Sequence, residues 1–146
     1  MDYLQIEELP DLRRPTLIAA MRGWNDAGEG ATLAVRHLIE AWSAAAFGTI
    51  DAEEFYDFTV ARPMIRITEE GQRDLRWPSN RFFYHKLPDQ PGDVVLFLGT
   101  EPHLKWRSFT ETVRDLFQRL DGTRLITLGA LVALSVRLIL KGAFDI

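Results

Sequence analysis

Residues 15–30 read Pro-Thr-Leu-Ile-Ala-Ala-Met-Arg-Gly-Trp-Asn-Asp-Ala-Gly-Glu-Gly. The run from Pro15 to Met21 is short, apolar and bounded by Arg14 and Gly23, which is the length and flanking of a strand buried on both faces. A glycine-rich turn, Gly23–Gly30, leads straight into apolar residues at helical spacing. Val35, Leu38, Ile39, Trp42, Ala45 and Ala46 form one stripe, so the pattern predicts a helix from about Ala27 to Ala46. Asp26 suits its N-cap, Glu29 completes a capping-box-like pair, and Gly48 suits its stop. A buried strand feeding a helix through a tight loop is the repeating unit of α/β folds.

The same pattern returns later. Asp93–Gly99 (DVVLFLG) is a second buried strand. Phe109, Val113, Leu116, Phe117 and Leu120 mark a second helix, with Ser108 and Glu111 as a capping box, or with a start nearer Glu101, and Gly122 as its end. Thr123–Leu128 reads as a third apolar strand and Gly129–Lys141 as a further helix. Between the two units, Phe55–Val60, Met64–Thr68, Asp74–Trp77 and Arg81–His85 are short, aromatic or β-branched, and separated by turn residues. They predict a meander or hairpin with one face partly exposed. Strands alternating with helices imply crossovers and a mostly parallel sheet covered on both faces.

Composition bounds function more than it reveals it. The chain has 146 residues, 17 basic and 21 acidic side chains and no cysteine, which excludes disulfides and thiolate metal sites. The net charge of −4 argues against general nucleic-acid binding, which needs clustered Lys and Arg. The N-terminus lacks a basic region followed by an apolar one, so it is not a signal peptide. Leu125–Leu140 is apolar only as far as Arg137, too short to span a bilayer. These features predict a cytoplasmic protein of one domain, residues 1–146, with neither nucleic acid nor membrane as partner.

The loops after the two buried strands hold the candidate functional residues, because ligands in open α/β sheets bind beyond the carboxyl ends of strands. In the first loop these are Gly23, Trp24, Asn25, Asp26 and Gly28. Its spacing is neither G-x-G-x-x-G nor a P-loop, and Asp26 and Glu29 would repel a phosphate. A self-capped turn with Trp24 packed over it and a ligand or partner surface both stay open. In the second loop the candidates are Glu101, His103, Trp106 and Arg107. Asn25, Asp26, Glu101, His103 and Arg107 would line a small-ligand site if the two loops converged. Trp24, Trp77 and Trp106 fall in loops or at helix starts, where tryptophan serves as an interface anchor. Glu53, Glu54 and Asp57 form an acidic cluster that reads as a solvated strand entrance. The three histidines, His37, His85 and His103, lack metal-ligand spacing, and no serine sits on a G-x-S-x-G elbow. No residue is assigned a catalytic or metal-binding role, and no cofactor is expected.

Five of these segments, in order, resemble the proteasome assembly chaperone 2 family in its bacterial, actinobacterial-like branch. They are Gly23–Gly28; Glu54–Phe58 with Arg62-Pro63; Trp77-Pro78; Gly99–Arg107; and Leu128–Leu131. The resemblance covers about residues 15–131. It implies a three-layer α/β/α domain of phosphorylase/hydrolase-like type, and a non-catalytic, oligomerising assembly factor whose partner is a protein or a second copy of itself. The alternative is a small-ligand-binding protein, or a hydrolase- or ligase-like enzyme, that uses the same loops. Family members continue after Gly-Ala-Leu with an Asp-x-Pro-His-Thr-Arg-Pro-like segment. Here Val132–Lys141 reads differently, so the resemblance predicts a partial domain truncated in its C-terminal half.

Overall fold

The computed structural model describes residues 3–132. Its elements run β1 (Leu4–Ile6), β2 (Thr16–Arg22), a 3-10 turn (Ala27–Glu29), α1 (Gly30–Ala41), β3 (Ala45–Ile50), β4 (Met64–Ile67), β5 (Arg73–Arg76), β6 (Asn80–His85), β7 (Val94–Thr100), α2 (Trp106–Arg119) and β8 (Arg124–Leu128). Six strands form one mixed sheet in the order β1-β3-β6-β7-β2-β8, while β4 and β5 make a separate two-stranded sheet. The expected parallel part is β7-β2-β8, with Thr16 level with both Val94 and Arg124. The remaining pairs, β1 with β3, β3 with β6 and β6 with β7, are antiparallel.

Alternation along β2 sorts the core into two clusters, because successive strand residues face opposite sides of a sheet. Leu17 and Ala19 pack with Phe82, Val95 and Phe97 against Phe109 and Leu116 of α2 and Leu120 at its C-terminal end. Ala20 packs with Leu96 against Ala31 and Val35 of α1. The apolar stripes predicted for the helices are therefore the faces they bury, apart from Ala45 and Ala46.

Several boundaries differ from expectation. The first helix ends at Ala41, and Ala45–Ile50 is strand β3 instead of a last helical turn. Ser43, at φ 48°, reverses the chain, and a bulge between Ala46 and Gly48 breaks the alternation that would have marked a strand. Gly48 thus lies inside β3 and stops no helix. Phe55–Val60 is a series of turns, not a strand. Phe55 and Tyr56 are buried in the core, and Asp57 accepts the Thr59 N–H and hydroxyl, which closes a local turn in place of a ladder. The meander is accordingly divided: β4 and β5 pair with each other, whereas β6 enters the main sheet. The second helix begins at Trp106 with Lys105 at its N-cap and no side-chain cap, so Ser108 lies within the helix and no capping box forms. The short strand β1 carried no sequence signal. The helix expected over Gly129–Lys141 falls mostly outside the described residues; Gly129–Val132 is not helical. Among the described residues no helix is long and apolar enough to cross a membrane.

Buried Asp93 anchors the other end of the parallel strands. Its carboxylate accepts the N–H groups of Arg13 and Leu87 at 2.7 and 2.9 Å and the Arg13 guanidinium at 3.1 Å. Burial opposes its ionisation, but these donors outweigh burial and hold the carboxyl below its usual range.

Candidate functional site

β2 and β7 end side by side, Arg22 level with Thr100, and the loops that follow them are tied together. The Glu101 N–H donates to the Arg22 carbonyl at 2.8 Å. The Glu101 carboxylate then accepts the backbone N–H groups of Trp24 and Asn25 at 3.0 and 3.3 Å. A Cβ at position 23 would stand 2.5 Å from that carboxylate, so Glu101 reaches the loop only because Gly23 has no side chain. On its other flank the loop is held by the segment that follows β8. Asn25 and Ala27 exchange hydrogen bonds with Ala130 at 2.7 and 3.0 Å, and Gly129 passes close to the Asn25 carbonyl.

Asp26 is a buried cap instead of a surface group. Its carboxylate accepts the N–H groups of Ala31 and Thr32, at 2.7 and 3.2 Å, and the Thr32 hydroxyl. This satisfies free donors of the first helical turn. Glu29 does not complete the expected capping box; it pairs with Arg22 at 3.3 Å. The loop is thus self-capped, as one reading held, but Trp24 does not pack over it. That side chain is 96% exposed.

The segment 53–57 docks on the second loop. The N–H groups of His103 and Leu104 donate to the Phe55 carbonyl at 2.9 and 3.1 Å, His103 Nδ1 accepts the Asp57 N–H at 3.1 Å, and Lys105 pairs with Glu54. The acidic cluster is therefore dispersed. Glu54 serves Lys105, Asp57 serves Thr59 and Glu53 donates its N–H to Asp51. Thr59 lowers the Asp57 carboxyl below its usual range, and Glu54 raises the Lys105 ammonium above its own. Beneath the loop Tyr56 and Asn80 form a network that the sequence did not announce. The Tyr56 hydroxyl lies 2.8 Å from Asn80 Oδ1 and 2.6 Å from the Thr100 carbonyl, and the Thr100 N–H donates to Asn80 Oδ1 at 3.0 Å. Burial pushes the Tyr56 hydroxyl up to about 12, so it stays a neutral donor at ordinary pH.

Beside these loops lies an open groove of about 350 Å³, lined by Arg22, Gly23, Arg62, Arg76, Trp77 and His103 among others. Its outer wall is the β4–β5 hairpin, whose Met64, Ile65, Ile67 and Leu75 are all exposed. Phe58 and Trp77 meet edge to face at 4.9 Å at its base. The nine candidate residues are thus distributed unevenly. Gly23 and His103 line the groove, and Trp24 and Asn25 hang from Glu101. Gly28, at φ 63°, shapes the turn, and Asp26 is sealed away. Trp106 lines a separate apolar cleft between α2 and β8, and Arg107 is exposed in the first turn of α2. Arg62, quoted only for the family resemblance, and Arg76 are not among the nine candidates, since isolated arginines carry no site signal until the chain folds.

The family model described as the PAC2 family matches residues 20–138. The fold is similar to that of a proteasome-assembly chaperone homologue from Mycobacterium tuberculosis, at 40% identity and a TM-score of 0.73 over 81% of this chain and 50% of that one. A PAC2 family protein from Streptomyces avermitilis is 33% identical at a TM-score of 0.74, over 90% of this chain and 61% of that one. A second Mycobacterium tuberculosis protein, of unknown function, is 28% identical at a TM-score of 0.75, over 86% and 46%. The chain thus spans about half to three fifths of the length of these solved structures. No curated protein matches it at a significant level.

Proposed function

The chain belongs to the PAC2 family, and from that premise we propose that it is a protein-interaction module, an oligomerising assembly factor without catalysis of its own, working in the cytoplasm. Its contact surface is formed by Gly23, Trp24, Asn25, Gly28, Glu101, His103, Trp106 and Arg107. Its two helices are the outer layers of a three-layer α/β/α unit of phosphorylase/hydrolase-like type. The observation that carries this reading is Trp24. A tryptophan left 96% exposed on a loop pinned from both sides has already lost the loop entropy that binding would cost, as an interface anchor requires. The description of the Mycobacterium tuberculosis relative as a proteasome-assembly chaperone homologue favours a protein partner. Among the described residues β8 is an edge strand, with Leu125 and Ile126 exposed, which favours self-association, since an unpaired strand edge is a template for another chain.

Size-exclusion chromatography with light scattering, combined with affinity capture, tests the reading. The expected outcome is a self-associated species or a protein complex that Trp24→Ala weakens. A monomer that captures no protein contradicts it. A second reading, a small-ligand-binding protein or hydrolase- or ligase-like enzyme, is supported by one observation: the two loops meet at Glu101 beside a groove that holds His103. Turnover of an ester or nucleotide that is abolished by His103→Ala would favour it.

A further inference from the structure

Arginines gather at the groove beside the loops. The protein carries −4 overall, yet the groove is lined by Arg22, Arg62 and Arg76, with no Asp or Glu among the described residues that line it. Arg62 has no ion-pair partner among the described residues; its Nε donates to the Thr59 carbonyl at 3.3 Å. Arg22 and Arg76 do have partners, Glu29 at 3.3 Å and Asp74 at 3.2 Å, but all four side chains are about half exposed. Such surface pairs are worth about 0–1 kcal/mol, so both guanidinium groups can exchange partner for an incoming carboxylate at little cost. The same wall carries exposed apolar surface from Val60, Met64 and Trp77. A free phosphate or a small polar anion would leave that surface bare.

We propose that this groove binds an extended acidic peptide segment of the protein partner, with a carboxylate on Arg62 and Arg76 and a neighbouring apolar side chain against Met64 and Trp77. Guanidinium forks match carboxylates in two-point geometry, and the apolar wall supplies the burial that makes the contact selective for peptide over free anion. This assignment rests on the protein-interaction reading above.

The test is fluorescence anisotropy of a labelled peptide, Gly-Glu-Phe-Glu-Asp-Leu-Glu-Gly, against the full chain, with the Gln/Asn isostere of the peptide as control. The acidic peptide should bind at least about tenfold more tightly than the isostere at low salt, and the preference should shrink as salt rises. Arg62→Gln should weaken it about tenfold and Arg62→Gln/Arg76→Gln further, with unchanged circular dichroism and melting. Inorganic phosphate at matched ionic strength should not displace it. Equal binding of the isostere, no binding, indifference to Arg62→Gln, or full displacement by phosphate each overturns the proposal. If the peptide fails while Trp24-dependent association persists, only the groove assignment falls. If both fail, the interaction reading falls with it.

Discussion

β7 and β4 are written in the same alphabet and have opposite fates. β7, Val94–Thr100, is buried over its first four residues and covered on both faces. β4, Met64–Ile67, is exposed at every position, and so is its partner β5. A two-stranded hairpin is marginal in water on its own, so this one depends on its base, where Phe58 meets Trp77. Apolar residues that build a core in the sheet are left bare in the hairpin, beside the loop that displays Trp24. The difference separates residues that hold the fold from residues that the fold presents, since exposed apolar clusters mark interaction sites.

Substitution should break the symmetry of composition most strongly in the sheet. Phe97→Ala removes a ring packed against Phe82 at 4.5 Å and Phe109 at 6.2 Å and should cost about 3–5 kcal/mol in chemical denaturation. Ile65→Ala in the hairpin should stay within about 0.5 kcal/mol. Equal losses would mean that the hairpin is part of the core.

Asp93 gives the next largest effect. Its folded-state carboxyl titrates below the usual range, so its contribution is complete above the unfolded value of about 4 and is lost as pH falls through the folded value. Asp93→Ala should cost about 1–3 kcal/mol at neutral pH by removing the acceptor of three part-buried donor groups. Asp93→Asn should flatten the acid limb of a stability profile below about pH 4. A profile that matches the wild type would contradict the clamp. The hairpin carries no such buried ion and should show no matching effect.

A loss no larger than that of Asp93→Ala is expected where the loops after β2 and β7 meet. Gly23→Ala forces a methyl group into the space of the Glu101 carboxylate and should cost about 1–3 kcal/mol. The substitution should also speed amide exchange at Trp24 and Asn25, the two N–H groups that Glu101 accepts. Unchanged exchange would show that Glu101 does not hold the loop.

What the sequence made readable follows the same division. β2, β7, β8 and the stripe of α2 were predictable because burial on both faces, or on one helical face, leaves a periodic signal. Only the start of β3, Ala45 and Ala46, reads as helix, because alanines favour helix, and a bulge hides the alternation of the rest. Phe55–Val60 was read as strand because aromatics suggest one, although Asp57 and the Phe55 carbonyl spend their hydrogen bonds on turns and on His103. Gly23, Trp24, Glu101 and His103 are legible as neighbours at the strand ends because each follows a readable strand. The groove arginines Arg62 and Arg76 and the buried pair Tyr56 and Asn80 are not legible as neighbours, since only tertiary structure brings these separate segments together. Asp26 was found for its capping role, and that role takes it out of the surface.

Photo-crosslinking compares the two ends of the sheet directly. A benzophenone amino acid placed at Trp24 should crosslink protein, a second copy or a partner, much more strongly than one at Gln90, which is exposed in the loop before β7 at the opposite ends of the strands. Equal yields at the two positions, or no protein crosslinked at Trp24, would contradict the account.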